Sequence, residues 1–442
     1  MPLTTEDERA GASVTGAATA TRARPGTAGA GVLRNREFRG VIMAQATSEC
    51  GDQIAAIAIS LLVYGRSNSP FLAAATYAVT YVPWVFGSIV LSPLADRFPR
   101  RSVMLTCDAG RAVVISLLAL ASMVHGMPIG ALIGLVLVSS FFSPPFSSAR
   151  GATLPDIFES GSRYVRAVAI SRILQQVDQV FGFALGGLVV AAVTPRGALA
   201  LDALTFVASY GLIHTHLSSR PAADGRGRPT ISSLLRGALP DLGIVWQHPA
   251  RRALLMFSAF SLIFLIAPDS LAVAYARQHG HGAVVAGLLA ASQPLGVAVG
   301  AWAFIKFVPV RLQGRYLLPL GVAGAACLTL TCVVPPIGVL CVLWIGSGLA
   351  QAFLVATIAA YNVVTERAVR GRANGLAAAT IAVTQGVGFL LWGAVAEWRG
   401  AAAGVAWAGI AGLLVMAIAR YLWPHDVIDG AWARLASAQD EH

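Results

Sequence analysis

Apolar runs of about 20 residues recur along the chain, separated by short polar turns. Twelve such runs fall near 37–64, 70–94, 101–124, 127–150, 164–193, 196–217, 253–276, 283–307, 314–334, 337–361, 373–397 and 400–423. A run of about 20 apolar residues crosses the hydrocarbon core as a helix. Backbone groups in lipid must be satisfied within the segment, which excludes open strands and irregular loops. The pattern therefore predicts an all-α integral membrane protein of twelve transmembrane spans. Spans five and six, and eleven and twelve, meet at tight Gly/Pro turns. The longest interior polar stretch, 218–252, opens as a Ser/Pro/Gly/Arg linker. It then sets Ile231, Leu234, Leu235 and Ala238 at helical spacing before Pro240. That part reads as a short interfacial helix. The linker divides the spans into two six-helix halves, 37–217 and 253–423, flanked by tails 1–36 and 424–442. Residues 1–33 are rich in Ala, Thr, Gly and Arg. They read as a disordered tail and not as a signal peptide.

Composition sharpens this reading. The 442 residues are 56% hydrophobic and only 12% charged, against about 25% for soluble proteins. The net charge of +11 raises the question of a nucleic-acid partner. The arginines, however, sit in short loops between apolar runs, so topology accounts for them and no nucleic-acid partner is expected. Of 32 Lys and Arg residues, 26 fall on one side of the twelve-span layout and 4 (Arg66, Arg196, Arg277, Arg399) on the other. Such a bias puts the basic side, and with it both termini, in the cytoplasm of a cell-membrane protein. Lys306 is the only lysine and has no glycine before it, so the chain has no Walker A loop and no P-loop ATPase chemistry. The five cysteines lie in or beside apolar runs and read as free thiols. His279 and His281 read as a solvated outer loop, so no metal is expected. Neither Asp-Asp-x-x-Asp nor His-Glu-x-x-His occurs, and an enzyme is not expected.

Charges inside the spans carry the candidate chemistry. Each costs roughly 2.5–3.5 kcal/mol on insertion scales. Gln45, Glu49, Asp52 and Gln53 share one face of span one, which should look into the bundle. Desolvation favours the neutral form of a carboxyl, so Asp52 and Glu49 are candidates for coupling transport to protons. A hydrogen-bonded polar seam is the alternative. Asp178, beside Gln175 and Gln176 in span five, is a third coupling candidate. Asp108 and Arg111, three residues apart in span three, read as an intramembrane ion pair, with Arg172 of span five as a third member. Asp269 follows Pro268 in span seven, where a proline frees a backbone carbonyl. With Gln293, Gln385 and Tyr81 it forms the set of substrate-cavity candidates.

The turn Ser92-Pro93-Leu94-Ala95-Asp96-Arg97-Phe98-Pro99-Arg100-Arg101 resembles the loop-2/3 signature of the major facilitator superfamily, Gly-x-x-x-Asp-Arg-x-Gly-Arg-Arg. Ser92 and Pro99 depart from it, and Pro99 cannot supply the left-handed turn of a glycine. Gly87-x13-Arg101 in the first half has a degenerate counterpart in Gly300-x14-Arg315 in the second, as expected of parallel repeats. Ala44-Gln45-x-x-Ser48-x-x-Gly51-Asp52, Asp108-x-x-Arg111-Ala112, Leu154-Pro155-Asp156-Ile157, Phe181-Gly182-x-Ala184-Leu185-Gly186-Gly187 and Arg370-Gly371-Arg372-Ala373 resemble the drug-export branch that includes macrolide efflux proteins and the enterobactin exporter. The resemblance implies a monomeric secondary transporter in the bilayer, with a small-molecule substrate and no cofactor beyond a proton gradient. It implies antiport of a hydrophobic or amphipathic drug or natural product by alternating access. A siderophore or metabolite exporter, or a nutrient importer, is the alternative on the same scaffold. It matches Asp52 to the family's helix-one aspartate. It also implies that Asp96, Arg97, Arg100 and Arg101 form a cytoplasmic clasp against residues 371–373, closing the outward-facing state.

Overall fold

The computed structural model describes residues 31–86, 98–124, 126–158, 161–220, 243, 245–366 and 369–422. These residues fold into helices, with no strand among them. The helices are α1 (Arg36–Ser67), α2 (Pro70–Phe86), α3 (Arg100–Met123), α4 (Ile129–Ser140), α5 (Ser143–Phe158), α6 (Ser162–His216), α7 (Pro249–Leu265), α8 (Ala267–Gln278), α9 (Ala283–Phe307), α10 (Val310–Thr329), α11 (Ile337–Ala350), α12 (Phe353–Val363), α13 (Arg370–Arg399) and α14 (Ala401–Leu422).

Ten helical segments of the described chain are long and apolar enough to cross a membrane. One of them, α6, runs for 55 residues but breaks at Thr194 (φ 68°, ψ 164°), just before Pro195. It therefore holds the fifth and sixth expected spans. The second expected span is described only over the 17 residues of α2. The fourth span is longer than expected: α4 and α5 together reach Phe158, because Pro144 and Pro145 fall in the first turn of α5, where proline is tolerated. The seventh span is likewise two helices, joined at Ile266. The interfacial helix expected over 231–248 lies for the most part outside the described residues, as do Asp96 and Arg97. Pro99 has φ −52° and ψ 125°, a non-glycine turn into α3.

Local chemistry fixes the ends. Asn35 caps α1, its side chain accepting from Phe38 N at 3.0 Å. Asn68 ends α1 in the left-handed conformation, which Asn tolerates better than most residues. Apolar side chains such as Leu120, Phe181, Ile305 and Leu414 stay exposed on the bundle's outside, the surface that lipid covers.

The helices α1–α6 pack with one another, as do α7–α14. The two groups meet mainly where α2 crosses α13 and where α6 crosses α9. The end of the bundle bearing Arg36, Arg100, Arg251 and Arg370 is here termed the basic end. The contacts between the groups include several at the opposite, far end. There Glu397 at the close of α13 accepts from Ser69 Oγ at 2.7 Å and from Phe71 N at 3.1 Å. The same end brings Gly187 of α6 against Gly287 of α9. A Cβ on Gly187 would lie 2.6 Å from the Ala283 carbonyl oxygen and 3.0 Å from Gly287 Cα. Only glycine allows two backbones so close.

Candidate functional site

A cavity of about 410 Å³ opens in the first group on the side that faces the second, which contributes Asp269 and Phe389 to its wall. Its wall is charged on the side of α1, α3, α5 and α6 and aromatic on the side of α2 and α13. The charged side has two centres.

The first centre is built on Arg111. Its Nη2 donates to Asp52 Oδ2 at 2.9 Å, to Asp52 Oδ1 at 3.2 Å and to Ser143 Oγ at 2.9 Å. The guanidinium carbon stands 4.5 Å from the centre of the Phe206 ring, a cation–π arrangement. Arg111 is almost wholly enclosed, with 8% of its side chain exposed, whereas Asp52 keeps 35%. Asp202 and Asp108 complete the surroundings of the guanidinium. Asp202 accepts from Thr205 Oγ1 at 3.2 Å, and Asp108 accepts from Ser209 Oγ at 2.6 Å. Each leaves one carboxyl oxygen, Asp202 Oδ2 and Asp108 Oδ1, buried without a partner. Three carboxyls thus surround one arginine. The helices come this close because Gly51 has no side chain: a Cβ there would strike Thr205 Oγ1 and Asp202 Oδ1.

The second centre is Glu49. Arg150 Nη1 donates to its Oε1 at 2.5 Å, and Gln45 Nε2 donates to its Oε2 at 3.2 Å. Gln45 is itself held by Ser171, through the backbone oxygen at 3.1 Å and the hydroxyl at 2.7 Å. Asp178 lies within the field of Glu49 and Arg150, with its Oδ2 buried and unpartnered.

These contacts correct several expectations. Arg111 does not pair with Asp108. The two point to different neighbours, Arg111 across to α1 and Asp108 across to the second part of α6. Arg172 joins neither; it is exposed and bonds Gln175 Oε1 on its own helix at 3.2 Å. Asp178 sits between α6 and α1 and is not part of the cavity wall, which Gln175 and Gln179 of the same helix reach instead. Gln293 is buried and donates to the Leu265 carbonyl at 2.5 Å, so it closes the break in span seven and does not line the cavity. Gln385 is half-buried outside the cavity wall. Tyr81 and Asp269 do line the cavity. Arg100 ion-pairs with Asp156 and donates to the Ala152 carbonyl at 2.6 Å. Arg101 donates to the His214 carbonyl at 2.7 Å. In this state, closed at the far end, both arginines bind α5 and α6 of their own half; the clasp against residues 371–373 is expected of the outward-facing state.

Sequence reasoning missed two wall residues. Arg150 counts as a loop charge in the topology but is helical and 8% exposed. Asp202 lies alone between Leu201 and Ala203 in span six, and the cost of a carboxylate in lipid marks it as plainly as it marks Asp52.

Comparison with known proteins agrees with this architecture. A model of the Major Facilitator Superfamily matches residues 41–339. YkuC, an uncharacterized MFS-type transporter of Bacillus subtilis (strain 168), is 26% identical over 187 residues, which cover 42% of this chain and 42% of YkuC. The multidrug efflux pump Tap of Mycobacterium tuberculosis (strain ATCC 25618 / H37Rv) is 25% identical over 375 residues, covering 81% of this chain and 87% of Tap. Among solved structures, the nucleoside transporter NupG (D323A mutant) superposes with TM-score 0.70 at 13% identity, covering 88% of this chain and 100% of that chain. The peptide transporter POT in complex with sulfate gives 0.68 at 13% identity, covering 90% and 96%. At such identity the last two speak for the fold alone.

Proposed function

The chain belongs to the major facilitator superfamily, and from that premise we propose that it is a proton-coupled exporter of small amphipathic molecules, working by alternating access. The observation that carries the reading is the Asp52–Arg111 pair on the cavity wall, backed by Asp202 and Asp108. With Asp52 ionised, Arg111 is engaged by it. A proton on Asp52 removes that attraction and frees the guanidinium for Asp202 of α6, which has an oxygen in want of a donor. Proton arrival on α1 thus becomes a shift of α3 against the second part of α6. A two-state shift of this kind is what coupling requires.

Charge and packing support loading from the basic end in the state described. The basic end is read as cytoplasmic. Because the far end is closed by Glu397 and by the Gly187–Gly287 contact, the cavity would load from the cytoplasm in this state. The Tap relative favours a drug-like substrate. Arginines 111 and 150 on the wall would suit an anionic substrate, and hence the alternative of a metabolite or siderophore carrier. Each, however, already has a carboxylate partner, so that reading ranks second.

The test is transport in a host lacking its own efflux pumps, following accumulation of one neutral and one cationic fluorescent amphiphile. Wild type should lower accumulation, a protonophore should restore it, and Asp52→Asn should behave as empty vector at equal expression. Extrusion that survives both the protonophore and Asp52→Asn would sink proton coupling at this site.

A further inference from the structure

One wall of the cavity is untouched by the proton mechanism. Asp269 stands in the first turn of α8, among the wall residues. It makes no ion pair with any described residue, and its Oδ1 is buried with no hydrogen-bond partner. The polar groups that surround the break in span seven are engaged elsewhere. Gln293 Nε2 serves the Leu265 carbonyl at 2.5 Å, and Trp392 Nε1 serves the Ile263 carbonyl at 2.5 Å. Glu49 and Asp52 each have an arginine, and Asp202 has the field of Arg111. Asp269 has neither. What lies beside it is aromatic. Tyr77 and Tyr81 are close enough to feel its charge. Phe389 stacks on Tyr77 with ring centres 5.4 Å apart and planes within 6°, and on Tyr81 at 5.6 Å. Tyr81 and Phe389 line the cavity with Asp269, as does Tyr77, whose buried hydroxyl also lacks a partner.

We propose that Asp269, Tyr77, Tyr81 and Phe389 form a binding subsite for an organic monocation, an amine or onium group carried on an apolar body. The proposal rests on the transporter reading above and names its substrate class. An unpaired carboxylate supplies the counter-charge that the protein withholds, since an isolated charge in a dry site requires a partner. The aromatic rings that border the carboxylate favour a cation over an anion. The subsite shares no residue with the Asp52–Arg111 pair, which α1 and α3 carry.

The test uses the purified full chain in a neutral detergent, by equilibrium dialysis against empty micelles. The probes are tetraphenylphosphonium and tetraphenylborate, of equal shape and opposite charge, measured separately. Wild type should bind the phosphonium saturably and the borate roughly tenfold or more weakly. Asp269→Asn should weaken phosphonium binding by about tenfold or more, Phe389→Leu by about threefold to tenfold, and Asp269→Glu should recover part of the loss. Equal binding of the two ions, phosphonium binding untouched by Asp269→Asn, or no saturable phosphonium binding by wild type would each overturn the proposal. Because binding is read without a gradient, the subsite can stand while proton-driven export fails, and the reverse.

Discussion

At the scale of single residues, the wall of the cavity is a set of charges whose worth depends on who faces them. Removing one member of an enclosed ion pair leaves the other stranded, at a cost of about 3–5 kcal/mol. Arg111 is the more enclosed partner and Asp52 the more open one. Arg111→Ala should therefore leave three carboxyls without their cation and lower the thermal midpoint in detergent markedly. Asp52→Asn, which keeps a hydrogen-bond acceptor beside Arg111 and leaves it the neighbouring carboxyls of Asp202 and Asp108, should shift it less. Scanning fluorimetry on the two variants checks this, and equal shifts would count against Arg111 as the hub. The sequence makes the members of this set visible one by one, because a charge inside an apolar run is conspicuous. It does not make their pairing visible. Asp108 and Arg111 are three residues apart on α3, yet their partners are Ser209 and Asp52, on other helices. Local spacing pointed to the wrong pair because both side chains find better partners across the bundle. Arg150 was hidden by its position near the end of an apolar run, where an arginine ordinarily fixes topology.

At the scale of helices, the far end is held by two contacts of different kind. Glu397 accepts from Ser69 Oγ and from Phe71 N, an amide in the first turn of α2 that has no intrahelical partner. Gly187 and Gly287 bring α6 and α9 into backbone contact. Gly187→Val should wedge the second contact apart, since its Cβ would press on the Ala283 carbonyl, while Glu397→Ala removes the first. Spin labels placed at positions 127 and 281 read the distance across this end. Both variants should lengthen it and raise the far-end-open population, and the double variant should exceed either. An unchanged distance in all three would show that the closure rests on other contacts. Apolar periodicity foretold the individual helices well, including the turn at Pro195. Pro268 marks the break in span seven, but periodicity does not foretell the breaks in spans four and ten, nor that Gln293 and Trp392 from distant helices satisfy the carbonyls at the seventh-span break.

At the scale of the whole molecule, the asymmetry of function follows from which half carries charge. The Asp52–Arg111 and Glu49–Arg150 centres come from α1, α3, α5 and α6, whereas the second half brings Asp269 and Phe389 to the cavity. Closure at the far end, with Arg100 and Arg101 bound inside their own half, describes a state in which the clasp against residues 371–373 is not made by those arginines. In the proposed mechanism such a division would let one half respond to protons while the other holds cargo, the two communicating by their relative rocking. The reading depends on the basic end facing the cytoplasm, and the native thiols offer a direct check. Cys332 lies in the short 3₁₀ turn Leu330–Val333 at the far end and is exposed, whereas Cys107 is buried and Cys50, Cys327 and Cys341 are half-buried. A membrane-impermeant maleimide applied to intact cells should therefore label wild type, and Cys332→Ser should lose most of that label. If labelling instead requires inverted membranes, the basic end faces outward. The cavity would then open to the outside in this state, and loading from the cytoplasm would need the other one.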